Sequence, residues 1–334
     1  MLQTVTMTGV DLDSVYSQTL QQIKEQEGDG PRLGMEVLMW VSHAKRPLRI
    51  DELCHALAVD MEATDLDPKK IRLQDTVLGS CLGLTIVDKK TSLVRPIHNT
   101  LQEYLSRPGI LSGAHKILGE TCLAYLNCNQ VKRLPANNVR DLRHMPFLQY
   151  SSSHWVDHAK IELSDRAKAL ALELLNRSPY HISFSTFFYK TTWPPQYPIL
   201  RHGFTGLHYA CSLGIGALVA GLIEMKKYDI NRVDSSCYTP LMWAVTNRNH
   251  EAVRLLLTCE GVDLDKPTSS GQTPLLWACS YGDVEMVRLL IEGGANPGNA
   301  DNDGNTPLMK ASRRGDMQIV ALFGPQEITM SDLE

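Results

Sequence analysis

Four tetrads, Thr205-Gly206-Leu207-His208, Thr239-Pro240-Leu241-Met242, Thr273-Pro274-Leu275-Leu276 and Thr306-Pro307-Leu308-Met309, decide how this chain is read. Their threonines stand 34, 34 and 33 residues apart. A period of that length marks stacked supersecondary units, each too small to bury its own apolar face. The local chemistry fits two short helices per unit. Threonine caps a first helix, and proline suits its first turn, where a missing N–H loses no partner. A small residue follows each tetrad (Ala210, Ala244, Ala278 and Ala311) and permits close helix packing. Gly282 and Gly315 suit the turn to a second helix, where positive φ is wanted. That second helix shows its apolar face in runs such as Met286-Val287-Arg288-Leu289-Leu290.

This array closely resembles the ankyrin repeat, over about residues 201–323. The resemblance implies an α-solenoid that binds a protein partner with its hairpin tips and the concave face of its first helices. Carried over position by position, the tip residues are Phe204, Tyr238, Gln272 and Asn305. The first-helix residues are Tyr209, Trp243, Trp277 and Lys310, with Asn247, Tyr281, Arg313 and Arg314 beside them. Trp243 and Trp277 hold equivalent positions and are expected to stand side by side along one groove, as exposed aromatic anchors. The alternative is that both indoles pack between repeats. Three positions depart from the family pattern: Gly206 replaces proline, and Cys237 and Arg248 stand where the family prefers glycine. Gly324-Pro325 interrupts the last helix, because proline cannot continue it without losing a bond.

The preceding two-thirds read as helical with one small wing. Leu33, Val37, Leu38, Trp40 and Val41 recur at helical spacing, and Asp51 is expected to cap a helix carrying Leu53 and Leu57. A third helix is expected over 71–81, then a hairpin whose strands, 84–87 and 92–95, bracket Asp88-Lys89-Lys90-Thr91. Three helices followed by a hairpin outline a winged helix. Further on come Leu101-Gln102-Glu103-Tyr104-Leu105, Pro146-Phe147-Leu148-Gln149-Tyr150 and His154-Trp155-Val156-Asp157-His158. This ordered set resembles the segment that follows the nucleotide-binding domain of fungal NACHT, NOD-like-receptor-type proteins, where a winged helix and a helical region precede ankyrin repeats. The resemblance covers roughly residues 10–175. The chain contains no Gly-Lys dipeptide and hence no phosphate-cradling P-loop, so the nucleotide switch of that architecture is not carried over.

The expected fold is mainly α, a winged-helix and helical N-terminal region followed by an ankyrin solenoid. Its parts are a lead-in (1–30), a winged helix (31–110), a helical region (111–180), an aromatic, proline-rich connector (181–200), about four repeats (201–323) and a tail (324–334). The 334 residues carry 33 Lys+Arg and 37 Asp+Glu, a net −4, which argues against a broadly cationic nucleic-acid or membrane-surface protein. The acidity is local: residues 201–334 hold 11 Lys+Arg and 16 Asp+Glu, against 22 and 21 in residues 1–200. A neutral or basic partner surface is therefore the electrostatic expectation for the array. No apolar run approaches the roughly 20 residues that span a bilayer, and no secretory signal is visible. Eight cysteines then read as reduced thiols in a cytoplasmic protein, with a nuclear location as the alternative.

Enzymatic patterns are thin. His154 and His158 lie one helical turn apart, a zinc-like spacing, but no third ligand accompanies them. Asn299-x-Asp301-x-Asp303-Gly304 opens like a calcium loop, yet Lys310 stands where that loop needs its bidentate glutamate. Around 71–81 the only basic residue is Arg72, with Lys69 and Lys70 upstream and Lys89 and Lys90 in the wing, a poor set for reading a DNA groove. The expectation is a non-enzymatic protein without cofactor or metal. It binds a protein partner, not nucleic acid, a membrane or a small-molecule substrate. The resemblance places it in fungal recognition and signalling, or beside secondary-metabolism genes; a DNA-binding regulator and, behind it, a metal-dependent hydrolase are the alternatives.

Overall fold

The computed structural model describes residues 12–134, 144–177 and 203–324. The expected connector at 181–200, the first part of the lead-in and the tail beyond Gly324 lie outside the described residues. The chain divides into two compact units, residues 1–170 and 171–334.

In the first unit, α1 (Leu12–Lys24) and α2 (Gly30–His43) precede α3 (Ile50–Leu57) and a short α4 (Gln74–Gly79). The third helix is thus shorter than expected: after a 3-10 turn at Pro68–Lys70, Ile71 (φ −72°, ψ 107°) and Leu73 (φ −65°, ψ 146°) are extended where its start is expected. Asp51 is not the cap of α3 either. Glu52 reaches back to the Arg49 N–H at 2.8 Å, moving the cap to Arg49, two residues earlier, and leaving Asp51 in the first turn. Arg46 grips the buried Glu52 carboxylate at 2.7 and 2.6 Å, which compensates its burial.

The hairpin is present as β1 (Thr85–Val87) and β2 (Val94–Pro96), antiparallel with Ile86 opposite Arg95. The Asp88 carboxylate accepts the Lys90 and Thr91 N–H groups at 2.9 and 3.0 Å and so forms the turn. Leu48 and Ile50 add a third edge, bonded to Val94 N–H and Ser92 C=O.

After α5 (Asn99–Leu105) come α6 (Ala114–Asn127), α7 (Asn129–Lys132) and α8 (Leu148–Ala159). Trp40 of α2, Tyr125 of α6, and Phe147 and Tyr150 at the start of α8 form one buried aromatic cluster, with centroids 5.1–5.7 Å apart along Tyr125–Phe147, Phe147–Tyr150 and Trp40. The winged helix and the helical region therefore share a core instead of forming separate bodies.

The division between units falls inside α9 (Asp165–Asn176). In the second unit eight further helices form four pairs: α10 (Gly206–Leu213) with α11 (Gly216–Glu224), α12 (Pro240–Thr246) with α13 (His250–Leu257), α14 (Pro274–Tyr281) with α15 (Val284–Glu292), and α16 (Pro307–Arg314) with α17 (Met317–Leu322). Thr239, Thr273 and Thr306 cap their helices as expected, each hydroxyl accepting the N–H three residues on at 3.2–3.3 Å. Thr205 does this differently. His208 Nδ1 accepts the Thr205 N–H at 3.0 Å, and its Nε2–H donates to the Arg232 and Tyr238 carbonyls.

Left-handed turns recur with the period. Between paired helices they fall at Gly214, Arg248, Gly282 and Gly315, with φ of 76°, 54°, 69° and 74°. Before the first helices they fall at Cys237, Gly271 and Gly304, with φ of 60°, 75° and 79°. Cys237 and Arg248, the two departures from the glycine pattern, thus adopt the glycine conformation regardless, at a cost of roughly 1 kcal/mol each. Gly206 has a different reason. A Cβ there would lie 2.2 Å from the Leu175 carbonyl oxygen, because the end of α9 packs directly on α10.

All eight cysteines are free, and six are buried: Cys54, Cys81, Cys122 and Cys128 in the first unit, Cys211 and Cys279 in the second. The last two hold equivalent positions behind the small alanine and are core thiols, as the periodicity predicts.

Candidate functional site: an aromatic row on the repeat array

Two of the hairpin tips are each built on one carboxylate. Asp234 accepts the Ser236 and Tyr238 N–H groups at 2.8 and 3.0 Å, and Asp301 accepts those of Asp303 and Asn305 at 3.1 and 2.8 Å. Both carboxylates also take a donor from nine residues downstream. Trp243 Nε1–H donates to Asp234 at 3.1 Å, and Lys310 Nζ pairs with Asp301 at 2.9 Å. Burial by itself pushes the Asp301 carboxyl up, but hydrogen bonds from Lys310, Asn305 and Gln272 outweigh it and hold the group well below the usual carboxylate range.

The middle tip lacks this device. Thr268 stands where Asp234 and Asp301 stand, its hydroxyl is used by Gln272 N–H, and the buried Trp277 Nε1–H has no acceptor among the described residues. A buried donor without a partner costs about 1–3 kcal/mol. Thr268→Asp is therefore expected to stabilise the array by about 1 kcal/mol. A thermal melt showing a lower midpoint than the parent would refute the assignment.

On this scaffold the rings form a continuous row. Phe204 meets the edge of Trp243 (5.4 Å), Trp243 meets Tyr238 (6.0 Å), Tyr238 meets Trp277 (6.4 Å), and Trp277 stacks on Tyr281 (5.5 Å, 21°). Arg248 closes the row, its guanidinium 5.8 Å from the Tyr281 centroid and its NH2 donating to the Tyr281 carbonyl at 3.1 Å. Trp243 and Trp277 do share one face, but Tyr238 lies between them, so the indoles do not stand directly side by side.

Comparison with known families fits this geometry. Residues 22–114 match the GPI inositol-deacylase winged helix domain. Residues 192–268 and 260–332 match ankyrin repeats (3 copies). The chain is a winged-helix domain followed by ankyrin repeats. The curated protein "Azaphilone pigments biosynthesis cluster protein L" of Monascus ruber is 24% identical over 293 residues, which is 75% of this chain and 59% of that protein. The chain thus spans about three-fifths of the length of the curated relative it matches.

The ankyrin positions expected to touch a partner fall into three groups. Tyr238, Trp243, Trp277 and Tyr281 make the row and are partly exposed, and Asn247, Arg313 and Arg314 are exposed at its edge. Gln272, Asn305 and Lys310 are taken up by Asp301, at 2.8, 3.0 and 2.9 Å, and work as struts of the tips. Phe204 and Tyr209 are corrections. Both are buried, Phe204 against His208 and Trp243 and Tyr209 in the first repeat's core, where burial pushes its phenol up. Neither ring is a contact surface. Arg248 was missed as a site residue; the signal was an arginine at a position whose period demands glycine.

In the winged-helix unit the zinc-like pair diverges. His158 is buried, its Nε2 bonded to the Tyr150 hydroxyl and its Nδ1 to His115 Nδ1, both at 2.9 Å. His154 turns to Asp157 at 2.9 Å. The face a DNA groove would meet is mixed, with Lys69, Lys89, Lys90 and Arg95 exposed. α4 holds Asp75 and no basic residue, Arg72 is paired with Asp29, and Lys70 pairs with Asp60 at 2.6 Å. Exposed Leu73, Ile86 and Ile97 stand beside them.

Proposed function

We propose that this protein is a non-enzymatic interaction protein whose ankyrin face binds a protein partner, with the aromatic row as the contact surface. The row carries the reading. Aromatic side chains supply large contact area at low entropic cost, and here Asp234 fixes Tyr238 and Trp243 in place before any partner arrives. His154 and His158, which suggested a catalytic site, are spent on internal bonds, which supports a structural role for them. A cleft of about 560 Å³ between α2, α3 and α6 holds the pairs Arg32–Glu36 and Lys70–Asp60, Arg72 paired with Asp29, and Glu120 bonded by the Ser164 hydroxyl, so most of its charge is already engaged.

Among the described residues no helix is long and apolar enough to cross a membrane. The apolar residues beside α4 and the wing favour protein contact over DNA for the winged helix as well. For the biological setting, the Monascus relative belongs by its name to a pigment biosynthesis cluster. That favours an accessory role beside secondary-metabolism genes over the receptor-type signalling role.

The test is affinity capture from the source organism with Trp277→Ala/Tyr281→Ala protein. These rings are chosen because Trp243 also holds a tip together. The expected outcome is loss of the partners retained by the parent. A folded double variant that retains every one of them would show that the row is not the contact surface.

A further inference from the structure

The groove changes character from one end to the other. At the position where the second and third repeats carry Trp243 and Trp277, the fourth carries Lys310; where the third carries Tyr281, the fourth carries Arg314. Arg313 is exposed beside them and reaches Asn305 Oδ1 at 2.5 Å. Arg314 donates to the Ser280 carbonyl at 3.1 Å, next to the Tyr281 carbonyl that Arg248 takes from the other side. Guanidiniums from the second and fourth repeats therefore meet the last two carbonyls of α14, and that of Arg248 also lies over the Tyr281 ring.

Their charges are largely uncompensated. Arg314 pairs with Asp316 at 2.7 Å, whereas Arg248 and Arg313 have no carboxylate partner among the described residues. Of the acids nearby, Asp301 is occupied by Lys310, Asp283 by His250 at 2.9 Å and Glu285 by Arg254 at 2.6 Å, while Asp303 is exposed in the fourth tip. The array is acidic in total and cationic at this spot. Arg248 also holds its place against backbone preference. It adopts a left-handed φ of 54° at a turn where the other three repeats use glycine. A strained residue kept at a surface site points to a task for its side chain.

We propose that this end of the groove receives an acidic segment of the protein partner. Its carboxylates sit on Arg248, Arg313 and Arg314, and a neighbouring apolar side chain lies on the Tyr281–Trp277 stack. The proposal rests on the protein-binding reading above and replaces the neutral or basic partner expected from net charge. Arginine suits planar bidentate capture of carboxylate. Single-stranded nucleic acid also uses arginines and rings, but its continuous phosphate chain would run along an array of net negative charge.

The experiment selects a displayed library of random peptides on the full chain, then measures a labelled selected peptide against variants. Arg248→Gly restores the residue the turn prefers, so it is expected to fold with an unchanged or higher Tm. The selected peptides are expected to be rich in Asp and Glu next to apolar residues. Affinity is expected to fall about tenfold or more in Arg248→Gly and in Arg313→Gln, and to weaken with salt. Peptides without acid enrichment, or affinity unchanged by both variants, would overturn the acidic-segment proposal. If such peptides still depend on Trp277 and Tyr281, the protein-binding reading survives it. A library from which the parent retains nothing overturns both, and an oligouridine probe bound more tightly than any peptide replaces the partner class with nucleic acid.

Discussion

Gly206→Pro is expected to destabilise the ankyrin array more than any surface change, even though it restores the residue found in the other three tetrads. Proline would fit the helix start by itself, since Gly206 opens α10 and its N–H closes no intrahelical bond. The obstacle is the α9 backbone. The first ring carbon of proline would lie 2.2 Å from the Leu175 oxygen and 2.8 Å from its carbonyl carbon. Backbone atoms cannot rotate away as a side-chain tip can, so α9 must lift off. It would take with it the contact of Leu172 against Gly221 and the bond from Lys227 Nζ to Asn176 at 2.7 Å. Overpacking costs about 1–3 kcal/mol and the lost contacts add to it, so a loss of about 3 kcal/mol is expected. Urea denaturation checks this, and Gly206→Ala should show much of the same loss because the clash begins at Cβ. A proline variant as stable as the parent would show that α9 does not pack there.

Acidification is the second large effect. His158 is pushed down to about 3 by burial, helped by the charges of His115, Lys45, His154 and His43. His208 is pushed down to about 4 by burial, which outweighs the opposing pull of Asp234 and the carbonyls it bonds. Both rings are held neutral in the fold, while the unfolded chain protonates them near pH 6.5. The unfolded state thus binds more protons below that point. The stability these rings give is intact above about pH 6.5 and drains away as pH falls towards 4 and then 3. Geometry says why. A proton on His208 Nδ1 would point at the Thr205 N–H, and a second proton on the His115–His158 pair would oppose two N–H groups. Summed over both rings the loss is on the order of several kcal/mol. Asp301 adds to it only at lower pH, since its carboxyl is already held below the usual range. Denaturation midpoints measured between about pH 7.5 and about pH 5 should fall steeply, and His208→Gln should flatten part of the slope. A midpoint constant over that interval would refute the neutral-imidazole assignment.

Much of this was legible in the sequence because the repeat is written at regular spacing. The threonine caps, the glycine turns and the core cysteines all follow from one residue type recurring at one position. The wing was legible for a similar reason, since Asp88 announces its own turn. What the pattern could not show is what a neighbouring element does to an equivalent position. Tyr209 and Trp243 hold the same place in successive repeats, yet Tyr209 is buried and Trp243 is partly exposed. Gly206 looked like a defect of the motif until Leu175 was seen occupying the space of a side chain. Gln272 and Lys310 read as contact residues because both are polar and sit where a partner could reach. Only the position of Asp301 shows that they are tied down.

The six buried thiols have a practical consequence. Burial raises all of them above an ordinary cysteine, Cys54 to about 11 and Cys279 to about 12, so each stays an unreactive S–H while its surroundings are closed. A maleimide can reach them only through an opening of the chain. Cys122 and Cys211 are each fully enclosed, one per unit, and so serve as separate clocks for the winged-helix core and the ankyrin stack. Labelling rates at these two sites, read against the half-exposed Cys237 and Cys259, time how often each half of the molecule comes apart.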